Sequence, residues 1–327
     1  MVRTLSDFKY LTGTKWLRPA LLVPSDGKPI VFVARNEVEG FMEFSKLRNV
    51  EVVEYSDGGD LMGKVSSTIR SIGARRVGMV YGVERDSYLL FYEMFRRVNR
   101  DVEVVDIGDI LVEMRVIKEP FEINAIAEAS DIASRVIEET AKLVKEGVSE
   151  TDLAAEAYYV AFKQGSEEPH IYINIGPYPR VHAEPTRHAR VKNGVLVTIV
   201  VGVDYEGYYS NASTTLYVGG SKPEHVSNAF KCAYEVYEEA VNQTKPSVRF
   251  VDVMKRLDEI YSRYGLLNSR VKGYLHGVGL QIEEYPITTI VPGHRVAEAR
   301  AGMVVAMVHS PLMLKGYGSL KIEARSI

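Results

Sequence analysis

Short apolar runs alternate with amphipathic stretches through the first third of the chain. ALLVP (20–24) and IVFVA (30–34) flank the turn formers Ser25-Asp26-Gly27-Lys28-Pro29, which predicts a hairpin. VEVVEYS (50–56), RRVGMVYG (75–82) and VEVVDIG (102–108) predict three further strands. Between them, LMGKVSSTIRSIG (61–73) carries Leu61, Val65, Ile69 and Ile72 at helical spacing and stops at Gly73. RDSYLLFYEMFRRV (85–98) is amphipathic through Leu89, Leu90, Tyr92, Met94 and Phe95. Strands and helices in alternation predict a small α/β domain with a partly parallel sheet.

The pattern then changes. Ile117, Ile123, Ile126, Ile132, Ala133, Val136, Ile137, Thr140, Leu143 and Val144 fall on one face of a long helix, with Pro120 in its first turn and Gly147 at its end. Ser149-Glu150-Thr151-Asp152 reads as a capping box for a second helix closing at Gly165. HIYINI and GVLVTIVVGVDYEGYYSNASTTLYVG then predict antiparallel strands. About a hundred residues on, Ser221-Lys222-Pro223-Glu224 reads as another capping box, a second apolar helix closes at Gly265, and strands run from GYLHGVGLQIEEYP to the end. Helix, helix, strands, repeated, predicts an internal pseudo-two-fold with a binding site between its halves.

Composition narrows the classes. With 327 residues, 46% hydrophobic and 25% charged, the chain is an ordinary globular protein long enough for two domains. A net charge of −3 gives no reason to expect nucleic acid or an anionic membrane as partner. The chain lacks a transmembrane-length apolar run and MVRTLSDFKYLTG lacks the apolar centre of a signal peptide, so a cytoplasmic protein is expected. The one cysteine, Cys232, rules out an intrachain disulfide and reads as a buried helical thiol. Gln is confined to Gln164, Gln243 and Gln281 while Val, Glu, Arg and Tyr abound, a leaning towards a thermophilic source.

The segments MRVIKEPFEINAIAEASDIASRVI (114–137), GVSETDLAAEAYYVAFKQG (147–165), HAEPT (182–186), GYYSNASTTLYVG (207–219), LHGVGLQIEEYP (275–286), GMVVAM (302–307) and GSLKIEA (318–324) occur in order. Together they resemble the "pita-bread" superfamily of prolidase, aminopeptidase P, methionine aminopeptidase and creatinase, nearest to Xaa-Pro dipeptidases. The resemblance implies an α+β fold. A creatinase-like N-terminal domain, 1–113 and N-terminally shortened, precedes a pita-bread domain, 114–327. It also implies a homodimer paired through the N-terminal domain.

In this superfamily two divalent ions polarise the scissile carbonyl and supply a hydroxide. Mapped motif by motif, the five ligand positions fall on Val200, Asn211, His276, Val308 and Glu323. Two ligands survive, so the resemblance implies loss of the dinuclear centre and no metal cofactor, a single weakly held ion at most. His309 beside Val308 is set aside because neighbours on a strand face opposite sides, and Asp204 because it falls in the expected hairpin turn. His182 matches the family's substrate-contacting His, and Glu283 stands where a second His is usual. His182, Glu283, His276 and Glu323 are therefore the candidate catalytic residues, with Tyr208, Gly277 and Gly279 as pocket residues. His276 paired with Glu323 as a buried relic is the plainer alternative. His170, His188, His225 and His294 read as surface residues.

Three functions stay open. One is a degenerate Xaa-Pro dipeptidase homologue that binds a peptide or a small amide or guanidino compound in the old cleft. Another is a metal-independent, creatinase-like C–N hydrolase using His182. The last is residual Xaa-Pro metallopeptidase activity.

Overall fold

The computed structural model describes residues 1–16, 19–82, 86–181 and 183–326. Residues Met1–Met114 form one compact unit, and the chain from Arg115 onward forms another.

The first unit runs α1 (Leu5–Thr12), β1 (Leu21–Leu22), β2 (Ile30–Ala34), α2 (Val38–Phe44), β3 (Glu51–Tyr55), α3 (Gly58–Ser71), β4 (Arg76–Met79), α4 (Asp86–Val98) and β5 (Glu103–Asp106), with α5 (Gly108–Val116) after it. The predicted hairpin forms, with Leu21 opposite Val31. Strand β3 lies parallel to β2, and β4 parallel to β5. The expected sheet is thus two hydrogen-bonded pieces, β1-β2-β3 and β4-β5. Helix α3 begins at Gly58 rather than at Leu61 because the Asp57 carboxylate accepts from the amides of Gly59 and Asp60. Arg85, the predicted start of α4, lies outside the described residues.

The second unit opens with α6 (Pro120–Lys142) and α7 (Glu150–Lys163), then β6 (His170–Ile175), β7 (Val195–Tyr205) and β8 (Tyr208–Val218). The expected long helix starts at Pro120, so Ile117 precedes it. Its first turn is tied by the Glu122 carboxylate accepting from the Glu119 amide at 2.8 Å. The Ser149–Asp152 capping box of α7 forms as expected. The order helix, helix, strands recurs in α8 (Glu224–Gln243), α9 (Phe250–Arg263), β9 (Leu275–Gly277), β10 (Glu284–Ile287), β11 (Val305–Met307), β12 (Leu312–Leu314), β13 (Gly318–Leu320) and β14 (Ala324–Ser326). Here the predicted capping box does not form. Pro223 takes the cap position, with no side chain satisfying the first amides, and Ser221 lies two residues too early.

The central strand β7 is buried on both faces, in keeping with its largely apolar sequence. Its odd positions Val195, Val197, Ile199, Val201 and Val203 pack with Ile132, Val136 and Leu153 of α6 and α7. The even positions face the other way, and the register sets Val200 opposite Ser213 and Gly202 opposite Asn211. The site is built on that even face. Among the described residues no helix is long and apolar enough to cross a membrane.

Candidate metal centre

Strand β9 carries His276 into the second unit's interior, where it is fully buried. Its Nδ1 lies 2.9 Å from the Gly277 carbonyl. A carbonyl only accepts, so Nδ1 carries the proton and Nε2 keeps its lone pair. That lone pair faces the Asn211 amide at 3.4 Å and His309 Nδ1 at 3.1 Å. Glu323 Oε1 lies 2.7 Å from His309 Nδ1 and 3.5 Å from His276 Nε2. Glu283 Oε1 approaches the other edge of the His309 ring, 3.1 Å from Nε2. Lys321 completes the group, its ammonium 3.1 Å from His309 Nδ1 and 3.0 Å from Glu323 Oε2, at an angle unsuited to a hydrogen bond with that oxygen.

His309 is the residue that strand alternation misplaced. Ala306 pairs with His276 and Met307 with Leu275, and continued alternation would turn His309 away. The chain instead enters the left-handed region at Val308, with φ 58°, a conformation rare for a β-branched residue. Val308 then packs in the apolar core, while the His309 amide donates to the Tyr274 carbonyl at 2.9 Å and its ring enters the site. Pro311 was the available sequence signal, since a proline so close to a strand end argues against extending the alternation.

Glu283, His276 and Glu323 do converge. His182 lies outside the described residues. Tyr208 does not join them: on β8 it sits on the face opposite Asn211 and packs edge-on against Phe121, ring centres 6.1 Å apart. At both glycines an added side chain would meet protein. A Cβ on Gly277 would stand 2.3 Å from the Tyr285 carbonyl oxygen, and one on Gly279 2.4 Å from the Glu284 carboxylate. Asp204 is on β7 rather than in the turn, opposite Tyr209. Its buried carboxylate accepts from Ser166 Oγ and the amides of Glu167 and Glu168, so it is a structural acceptor. His188 and His225 are exposed, and His170 and His294 are half-buried.

The charges are tightly coupled. Burial pushes the Glu323 carboxyl up, but the Lys321 ammonium and His309, which also hydrogen-bonds to it, hold it well below the usual carboxylate range. Burial and Lys321 push His309 down, and Glu323 and Glu283 outweigh them, so its proton is held more firmly than in water.

Does this donor set suit a divalent ion? His276, Glu283 and His309 each offer one ligand atom, all within 4.8 Å of one another. Two imidazoles and a carboxylate are the borderline donors that hold zinc and its neighbours. Beside them the buried Asn211 Oδ1 has no hydrogen-bond partner among the described residues, an acceptor left over in the site. The residues fit one ion.

Residues 124–325 match the model of "Metallopeptidase family M24", and residues 2–117 that of the "Creatinase/Prolidase N-terminal domain". The chain belongs to the M24 metallopeptidase family. It is similar to the Xaa-Pro dipeptidase of Pyrococcus furiosus, 25% identical over 316 residues, spanning 96% of this chain and 86% of that protein. The methionine aminopeptidase of Aquifex aeolicus is 28% identical over 208 residues, spanning 57% of this chain and 78% of that protein. The prolidase from Pyrococcus horikoshii OT3 superposes with a TM-score of 0.86 at 22% identity, covering 99% of this chain and 89% of the other. That likeness fixes the fold as a creatinase-type domain followed by a pita-bread domain.

The expectation of no metal cofactor is therefore corrected. It counted donors only at the five mapped positions, whereas the family is one of metallopeptidases and His309 and Glu283 add a donor group to His276 that the mapping had missed.

Proposed function

We propose that this M24 protein is a metal-dependent peptidase acting on short peptides of the Xaa-Pro type, with one divalent ion held by His276, His309 and Glu283 in place of the family's pair. The reading is supported above all by the turn at Val308, which brings His309 within 3.1 Å of His276 Nε2 and of Glu283 Oε1. When bound, such an ion supplies a Lewis acid for the scissile carbonyl and lowers the pKa of its water. The protein's own groups do the rest. The Gly277 carbonyl fixes the His276 tautomer, and Glu323 fixes the His309 ring from behind. Glu283, with 22% of its side chain exposed against none for Glu323, is the carboxylate within reach of an entering substrate and of its protons. The similarity to the P. furiosus Xaa-Pro dipeptidase supports the substrate class.

The test is release of proline from Xaa-Pro dipeptides by protein loaded with Mn²⁺, Co²⁺ or Zn²⁺, beside His309→Ala. Hydrolysis should require the ion and fall by about a hundredfold or more in the variant, the loss typical of removing a group on which catalysis depends. Hydrolysis that survives both chelation and His309→Ala would overturn the reading, as would no hydrolysis with any of the three ions.

A further inference from the structure

We propose that the Lys321 ammonium stands in for the second metal ion of the M24 pair, so that the site binds one ion and not two. This rests on the one-ion reading above and adds what replaces the missing charge. Lys321 is 1% exposed, and its Nζ lies 3.0 Å from Glu323 Oε2 and 3.1 Å from His309 Nδ1. A buried ammonium persists only where opposite charge and acceptors surround it, and here both come from the cluster.

Its position carries the inference. Lys321 and Val200 line the same recess, with Thr198, Tyr172, Asn174 and Ser319. Val200 stands at one of the five mapped ligand positions, and a valine offers no lone pair. The recess holds about 10 Å³ of free space, room for one water. On the donor-poor side of Glu323, then, a covalently tethered cation occupies the neighbourhood that a second ion would need. The charge count agrees. Glu283 and Glu323 give −2, one divalent ion balances them, and Lys321 leaves +1; a second ion would leave +3 in a buried site, with only neutral donors to receive it. Lys321 also lies 3.0 Å from Glu323 Oε2, so its charge already faces the carboxylate oxygen that would attract a second ion.

Metal stoichiometry and affinity decide the matter without reference to turnover. Apo protein is titrated with Mn²⁺ and Zn²⁺ by calorimetry, and metal per chain is measured by mass spectrometry, for wild type, Lys321→Met and Lys321→Arg. One ion per wild-type chain is expected. Removing a positive charge so close to the ligands should tighten that ion by about tenfold or more in Lys321→Met, while the charge-conserving Lys321→Arg stays within about threefold of wild type. Two ions per wild-type chain would overturn the proposal, as would unchanged or weaker affinity in a folded Lys321→Met. Should Lys321→Met not fold, the wild-type stoichiometry still decides. One bound ion without peptide hydrolysis would sink the peptidase reading and leave this one standing; no bound ion in any folded variant would sink both.

Discussion

Glu284 follows the proposed ligand Glu283 and has a very different task. Its carboxylate receives Arg115 Nη2 and Lys118 Nζ, each at 2.5 Å. All three side chains are buried, and Lys118 also donates to the Arg115 carbonyl at 2.6 Å. Burial alone would push the carboxyl up, yet the two cations hold it below its ordinary range. The pairs tie β10 to the approach of α6 and so set the backbone from which Glu283 projects. In Glu284→Ala the two buried cations lose the carboxylate they share. At an effective dielectric of 20 each contact is worth about 4 kcal/mol gross. Most of that offsets desolvation, and breaking such a group costs about 3–5 kcal/mol net. For a unit of roughly 200 residues this lowers Tm by about 6–20 °C. Urea denaturation followed by far-UV circular dichroism gives the free energy directly. The control replaces the three together: Arg115→Met, Lys118→Met and Glu284→Met should recover most of the loss, because the three charges that face one another are then all removed. A single variant within about 1 kcal/mol of wild type, or a triple variant no better than the single, would refute the account.

Two further outcomes follow from the same packing. Gly277→Ala drives a Cβ to 2.3 Å from the Tyr285 carbonyl oxygen, a backbone atom that cannot rotate away; β9 and β10 must part, which should cost about 1–3 kcal/mol, and an unchanged melting curve would show that the strands yield freely. Burial pushes the Cys232 thiol up to about 12, so a thiol reagent at pH 8 should find essentially none reactive in native protein and one per chain in urea; rapid labelling of native protein would refute that burial.

The sequence was most legible where one physical signal was strong and local. Pro120 and the apolar stripe behind it marked α6, the Ser149–Asp152 box marked α7, and the largely apolar run of β7 marked a strand. Helices α1, α2 and α5 passed unread because each is no longer than nine residues and too short to display a stripe. In the site, His276, Glu283 and Glu323 could be named from motifs, since each stands at a fixed offset within one. His309 could not. Its place depends on one backbone torsion at Val308, and valine is a residue that gives no hint of positive φ. Lys321 escaped notice for a different reason: two residues before Glu323 on an extended segment it shares that residue's face, but nothing local says that a lysine there is buried.

These two omissions have a common consequence for how the site is to be understood. An ion responds to where donor atoms lie in space, not to which chain position supplies them. Mapping by position counts Val200 and Val308 as losses and stops. The torsion that packs Val308 into the core is the same one that sends the next side chain, His309, to His276. Loss at one residue and gain at its neighbour are therefore one structural event. Among the described residues no carboxylate or imidazole lines the recess of Val200, which holds Lys321 and neutral side chains such as Thr198 and Asn174. The two valines thus differ in kind: beside one stands His309, the proposed ligand, and beside the other the buried cation Lys321. On the reading proposed above, a site altered in that unequal way would hold one ion and lack the charge that would attract a second.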